Sequence, residues 1–205
     1  MLNSRDGRLS QEEKRALLEI ALNSILAAFE GRHFVPENLS GNLSSPAGAF
    51  VTLKRHGTLR GCIGYVEPVF PLAETVARAA VAAAFDDPRF YPLQPEELPQ
   101  LEIEISVLTP PRPVSKLSEI VVGRHGLIAE RGPYRGLLLP QVPVEYNWDL
   151  NEFLENTCLK AGLERDCWQK NTKFYTFEAE IFSGFVELLE GGSYNIRYKT
   201  EGEEQ

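Results

Sequence analysis

Ala49-Phe50-Val51-Thr52-Leu53-Lys54-Arg55-His56-Gly57-Thr58-Leu59-Arg60-Gly61-Cys62-Ile63-Gly64-Tyr65 is the stretch on which the fold turns. Ala49 to Arg55 and Thr58 to Tyr65 read as strands, and His56-Gly57 between them supplies the positive φ of a two-residue hairpin turn. Such a turn pairs Cys62 with Val51 and Arg60 with Leu53, and sets Arg60 and Cys62 on one face with β-carbons about 6 to 7 Å apart. Gly61 and Gly64 bracket the sulfur and let another group approach the backbone closely.

Working outward, Pro71 to Phe85 is an alanine-rich helix opened by proline and stopped before Asp86-Asp87-Pro88. Leu101 to Leu108 alternates, with Leu101, Ile103, Ile105 and Val107 on one face and Glu102 and Glu104 on the other, as a half-solvated strand does. The same order then recurs. Gly57, Arg60 and Gly61 reappear as Gly132, Arg135 and Gly136, each 75 residues later, and Leu101 to Ile105 corresponds to Phe177 to Ile181 at an offset of 76.

In the second half Leu127 to Glu130 and Tyr134 to Leu139 form the hairpin around Gly132-Pro133. Asp149 caps a helix to Ala161 that Gly162 ends, and Lys173 to Glu187 is the closing strand. The halves span about residues 49–108 and 125–187 of a single domain. Each is too short to bury its own apolar face, which predicts packing against its twin about a pseudo-twofold axis. Thr109-Pro110-Pro111-Arg112-Pro113 between them is a stiff connector that cannot continue a strand ladder. Ser10 to Glu30, with a Ser10/Glu13 capping box and Gly31 after it, is an extra N-terminal helix. Residues from about 191 to 205 read as a tail that is loose at its end.

Composition bounds the function. The 205 residues are 43% hydrophobic and 24% charged, which suits an ordinary globular protein. The formal net charge of −8, with no Lys/Arg cluster, argues against a nucleic-acid ligand. Met1 to Arg8 lacks the apolar run of a signal peptide and no segment has the length of a membrane span, so no membrane partner is expected. Cys62, Cys158 and Cys167 are too few and odd in number for a secreted disulfide framework, which points to the cytoplasm. With no Cys-x-x-Cys or His-x-x-x-His, no metal is expected; phosphate-loop, dinucleotide-binding and Gly-x-Ser-x-Gly patterns are missing too, so the sequence names no cofactor.

The hexapeptide Leu59 to Gly64, together with Asp87-Pro88-Arg89-Phe90, Glu104 to Leu108, His125-Gly126-Leu127, Leu138 to Val142, Glu145 to Asp149, Lys160 to Leu163 and Tyr175 to Ala179, resembles the AMMECR family, the AmmeMemoRadiSam system protein A group. The order of these motifs carries the resemblance, which covers roughly residues 49–182. The chain departs from it at Pro143, where a small residue is frequent, and at Tyr146, where a histidine is. The resemblance implies an α+β fold, two repeats of strands and helices packed as a barrel-like mixed sheet with flanking helices. It also implies work alongside a Memo-type protein and a radical SAM enzyme.

Residues at which the two halves differ are candidates for chemistry. Cys62 stands where its twin carries Leu137, and is either a small hydrophobe in a core or a thiol that a nearby cation turns toward thiolate. In the second case Cys62 is the reactive group and His125 its acid or base. Arg60 and Arg89 then bind an anionic ligand, with Gly61, Gly64, Asp87 and Glu145 around it; in the first case Arg60 pairs with a buried carboxylate and Asp87 with Arg89. The enzyme reading places a small polar or anionic molecule in a cleft near Cys62. The alternative is a binding or adaptor protein that uses the same groove for a protein partner.

Overall fold

A computed structural model of the chain describes residues 8–37 and 39–199. The chain divides into two compact units, one formed by the segments up to Val107 and from Glu180 onward, the other by Leu108–Ala179.

The first unit opens with helix α1 (Gln11–Phe29). The Ser10 hydroxyl accepts from the Glu13 N–H and the Glu13 carboxylate accepts from the Ser10 N–H, the reciprocal cap read in the sequence. Strands β1 (Ala49–Arg55) and β2 (Thr58–Tyr65) follow, joined by His56 at φ 50° and Gly57 at φ 71°. Helix α2 (Leu72–Phe85) carries only Glu74 and Arg78 as charged residues, and most of its residues are buried. With strands numbered along the chain, β3 (Leu101–Leu108), β8 (Ala179–Leu188) and β9 (Tyr194–Tyr198) complete a sheet of order β2-β1-β3-β8-β9. Val51, Leu53, Ile103 and Ile105 on one face of it share a core with α1 and α2. Thr52, Lys54, Glu102 and Glu104 take the other face, as the period of two requires.

The second unit holds the two-residue β4 (Arg112–Pro113), β5 (Gly126–Arg131), β6 (Tyr134–Leu138), short α3 (Val142–Glu145), α4 (Leu150–Lys160) and β7 (Lys173–Phe177), with sheet order β4-β7-β5-β6. Asp149 caps α4 in a second reciprocal box with Glu152. Leu127, Ala129, Phe153, Leu154 and Phe174 form the core, stapled by a buried Cys158–Cys167 disulfide.

The α+β class and both hairpins agree with the sequence reading; several finer expectations do not. The strands form two separate antiparallel sheets rather than a closed, barrel-like mixed one. The long closing strand breaks at Glu178: β7 pairs with β5, whereas β8 joins the sheet of the first unit. Alternation of side chains is blind to such a break because the chain stays extended through it. The connector does make a ladder, since Arg112 and Pro113 pair with Thr176 and Tyr175 at a sheet edge, where a proline costs nothing on its outer side. Residues 194–198, read as tail, form β9 on β8. Two cysteines from an odd set of three do pair, because Gly162 turns the chain back after α4 and brings Cys167 to Cys158. The expectations for Met1 to Gly7 and for the end of the tail fall outside the described residues.

In each unit a glycine of the second hairpin strand receives a helix backbone. A Cβ on Gly61 would lie 2.1 Å from the carbonyl oxygen of Ala83 in α2, and one on Gly136 would lie 2.3 Å from the backbone nitrogen of Ala161 just after α4. These are the glycines related by the offset of 75. Backbone cannot yield as a side-chain tip can, so Gly61→Ala and Gly136→Ala should each cost about 3 kcal/mol of stability in urea unfolding. A loss under about 1 kcal/mol would mean that the helices rest elsewhere. Reducing Cys158–Cys167, which closes a loop with a sequence separation of 9, should lower stability by about 2 to 3 kcal/mol in the same assay run with dithiothreitol.

Candidate functional site

Cys62 sits on β2, an edge strand of the first unit's sheet. Its N–H points away from β1 and donates to Asp87 Oδ2 at 2.9 Å, and its carbonyl accepts from Arg89 Nη2 at 3.3 Å. Asp87 and Arg89 thus fill the place of a neighbouring strand at this one residue. They are bound to each other as well: Arg89 Nε donates to Oδ1 at 3.0 Å and Nη2 to Oδ2 at 2.7 Å, and the Arg89 N–H donates to Oδ1 at 3.1 Å. The Asp87 side chain is 2% exposed. The bonds from Arg89, seconded by the Cys62 N–H, hold its carboxyl well below the usual carboxylate range against the opposing effect of burial. Arg89 is held above its own ordinary value, first by Asp87 and in smaller part by the Cys62 sulfur.

The sulfur is partly buried and accepts a hydrogen bond from the Thr52 hydroxyl at 3.2 Å. The expected register is off here. Cys62 pairs with Thr52, not Val51, and Arg60 has no partner on β1, because Leu59 pairs with Lys54 and Gly61 with Leu53. Arg60 is the extra residue of a β-bulge, which turns it out of the Cys62 row. Its guanidinium makes a two-pronged bond with Glu97, 2.8 Å from Nε and 2.9 Å from Nη2, and lies 5.9 Å from the Phe90 ring centre. That pairing holds the Glu97 carboxyl below its ordinary value. Gly64 leaves room for Phe50, whose ring atoms would be 2.4 Å from an added Cβ.

Thr52 also connects Cys62 to a polar row across the sheet. It pairs with Glu104, which binds Lys54 at 2.6 Å; beyond it Glu102 accepts from Ser183 at 2.7 Å and Lys199 at 3.0 Å. Burial pushes the Glu102 carboxyl up, but Ser183, Lys199 and Lys54 together outweigh it and hold it below its ordinary value. Sequence reading placed these glutamates on one face without their partners. Thr52 was missed because the bulge shifts the pairing, and Glu97 because nothing in its spacing links it to Arg60.

His125 and Glu145 belong to the second unit. The Val121 N–H donates to His125 Nδ1 at 3.1 Å, which assigns the proton of the neutral ring to Nε2, 3.8 Å from Glu178. Glu145 is exposed at the end of α3. A Cβ on Gly123, two residues before His125, would be 3.1 Å from Val144 Cγ2, so the histidine turn and the end of α3 are neighbours. Among the described residues no group of three or more His, Cys, Asp or Glu is arranged to hold a metal, and no helix is long and apolar enough to cross a membrane.

The family model for AMMECR1 matches residues 18–182. The chain belongs to the AMMECR1 family. Among relatives, protein NEQ441 of Nanoarchaeum equitans is 47% identical over 175 residues, 81% of this chain and 97% of its own. Protein TK0174 of Thermococcus kodakarensis is 54% identical over 158 residues, 72% of this chain and 77% of its own. The crystal structure of protein PH0010 from Pyrococcus horikoshii superposes with a TM-score of 0.77 at 42% identity, covering 93% of this chain and 99% of that one. The Leu-Arg-Gly-Cys-Ile-Gly and Asp-Pro-Arg-Phe motifs by which the chain resembles AMMECR proteins are therefore, in this member, two sides of one clamp on β2.

The clamp has a pH signature. Asp87 has a folded-state carboxyl below its unfolded value of about 3.9, so its contribution is complete above that value and drains away as pH falls. Asp87→Asn should cost about 2 to 3 kcal/mol at pH 7 and flatten the fall in stability between about pH 5 and pH 2, followed by urea midpoints. An acid limb as steep in the variant as in the parent would assign it to other carboxylates.

Proposed function

We propose that this AMMECR1-family protein is a small cytoplasmic enzyme, or a component of one, that acts on a small polar or anionic ligand at Cys62. The observation that carries this reading is a partly buried thiol that accepts from the Thr52 hydroxyl, on a residue whose N–H and carbonyl are pinned on the open side by Asp87 and by the half-exposed guanidinium of Arg89. A thiol acts as a nucleophile in its thiolate form. In this reading Arg89, 54% exposed at its side chain, is the anion binder, while Arg60 shapes the site through Glu97. A Memo-type protein and a radical SAM enzyme are the partners that the family resemblance suggests.

One feature favours a second reading, a binding or adaptor protein without turnover. Tyr91 is 90% exposed, next to Phe90, whose ring centre lies 5.5 Å from the Arg89 guanidinium; tyrosine and arginine standing out together suit a protein contact. Alkylation separates the two. Under the enzyme reading iodoacetamide modifies Cys62 of the full chain at pH 7 about tenfold faster than it does N-acetylcysteine, followed by peptide mass spectrometry, and Arg89→Gln removes most of that advantage. A Cys62 that reacts no faster than the free thiol leaves the adaptor.

A further inference from the structure

We propose a second binding site in the first unit, for an elongated and mostly apolar molecule that carries one anionic head. The site is a cavity of about 680 Å³ bounded by the end of α1, the outward face of α2 and the extended segment that follows α1. It makes no use of Cys62. Its size lies within the range of about 300–1,000 Å³ usual for small-ligand sites.

The space arises from the choice of side chains. α2 turns Glu74, Arg78, Val81 and Ala82 toward the cavity, and from Arg78 onward no polar side chain lines it on that helix until Asp86, just past its end. On α1, Ser24 and Ala28 line the cavity one turn apart, and the Ser24 hydroxyl is turned back to the Ile20 carbonyl at 2.6 Å, so it adds no polar group to the wall. Leucines at these small positions would fill the gap, as close-packed interiors do. Phe34 and Val35 of the outer segment also line the cavity, and Val35 remains 70% exposed. From Glu74 to Asp86 the helix runs about 18 Å at about 1.5 Å per residue, the reach of a chain of ten or more carbons.

Charge decides the head group. Arg78 is oriented before any ligand arrives: Nε and Nη2 donate to Glu74 Oε1 at 2.9 and 2.7 Å, and the guanidinium lies 4.4 Å from the Phe70 ring centre. Its Nη1 has no acceptor among the described residues. A guanidinium fixed in this way with donors to spare suits a carboxylate. The other guanidinium on the lining, that of Arg32, is paired with Glu30, while Asp86 just past α2 puts a carboxylate at the far end, so Arg78 is the guanidinium assigned to the head group. His33 adds a further donor on the outer wall.

Decanoate, decanol and decyltrimethylammonium, one chain with three heads, test the assignment on the full-length protein by calorimetry and methyl NMR. Decanoate is expected to bind one to one, to shift the Ala77, Val81 and Ala82 methyls, and to bind at least about tenfold tighter than decanol, the size of one charged hydrogen bond; the cation should not bind. Arg78→Gln should bring decanoate to the level of decanol, and Val81→Trp, which fills the floor, should abolish both without lowering the melting temperature. If Val81→Trp lowers it, Ala82→Leu takes its place. Equal affinity for decanoate and decanol, methyl shifts confined to other residues, or no binding of decanoate would overturn the proposal.

Discussion

The contact on which the candidate site depends is that of the Ala83 carbonyl with Gly61. No side chain separates the end of α2 from β2, so the helix axis lies closer to the strand than a helix and a sheet ordinarily pack. Four residues beyond Ala83 comes Asp87, and only a helix end brought that near lets so short a side chain reach the Cys62 N–H. The glycine beside the cysteine is thus not there for local flexibility; its φ is ordinary. It is there because the backbone of another element occupies its side-chain position.

Strand β2 has a free edge, and free edges invite pairing with other chains. The Asp87–Arg89 pair answers this at one point by offering an acceptor to the N–H and a donor to the carbonyl of the same residue. That is the pattern a neighbouring strand would present, built from two side chains. Because the Asp87 carboxyl stays ionised far below neutral pH, the clamp holds through the range in which proteins function. The thiol therefore rises from a main chain that is fixed on both sides, by β1 and by the clamp. A site built this way needs little reordering to meet a ligand.

The elements of the fold were legible in the sequence because each has a local cause. Ser10 and Asp149 cap helices by reaching three residues ahead, His56-Gly57 makes a turn by its own φ, and Leu101 to Leu108 shows its faces by alternation. What was not legible depends on residues far apart in the chain. The bulge at Arg60 arises where two strands disagree by one residue, and one residue of slip moved the partner of Cys62 from Val51 to Thr52. The sharing of β7 and β8 between sheets is likewise invisible, since the break at Glu178 leaves the side-chain period intact. Of the candidate residues, Cys62, Asp87 and Arg89 come together as their motifs suggested, while the fate of Arg60 was set by Glu97, 37 residues away.

Arg60, Arg78 and Arg89 share a mode of pairing that Arg32 also makes with Glu30, and comparing the first three bears on which of them can serve a ligand. Arg60, Arg78 and Arg89 each present Nε and Nη2 to a carboxylate, on Glu97, Glu74 and Asp87 respectively. Such side-on pairing fixes the plane of the guanidinium and leaves the donors of Nη1 outside the fork. An ion pair therefore does not use up an arginine; it aims one. Whether the remaining donors can meet a ligand then depends on exposure, which is 15% for the side chain of Arg60 but 51% and 54% for those of Arg78 and Arg89. The residue in the hexapeptide that looked most like an anion binder is the one sealed into the structure. The two that remain open lie on either side of α2, Arg78 on its outward face and Arg89 just past its end, so that one short alanine-rich helix orients both.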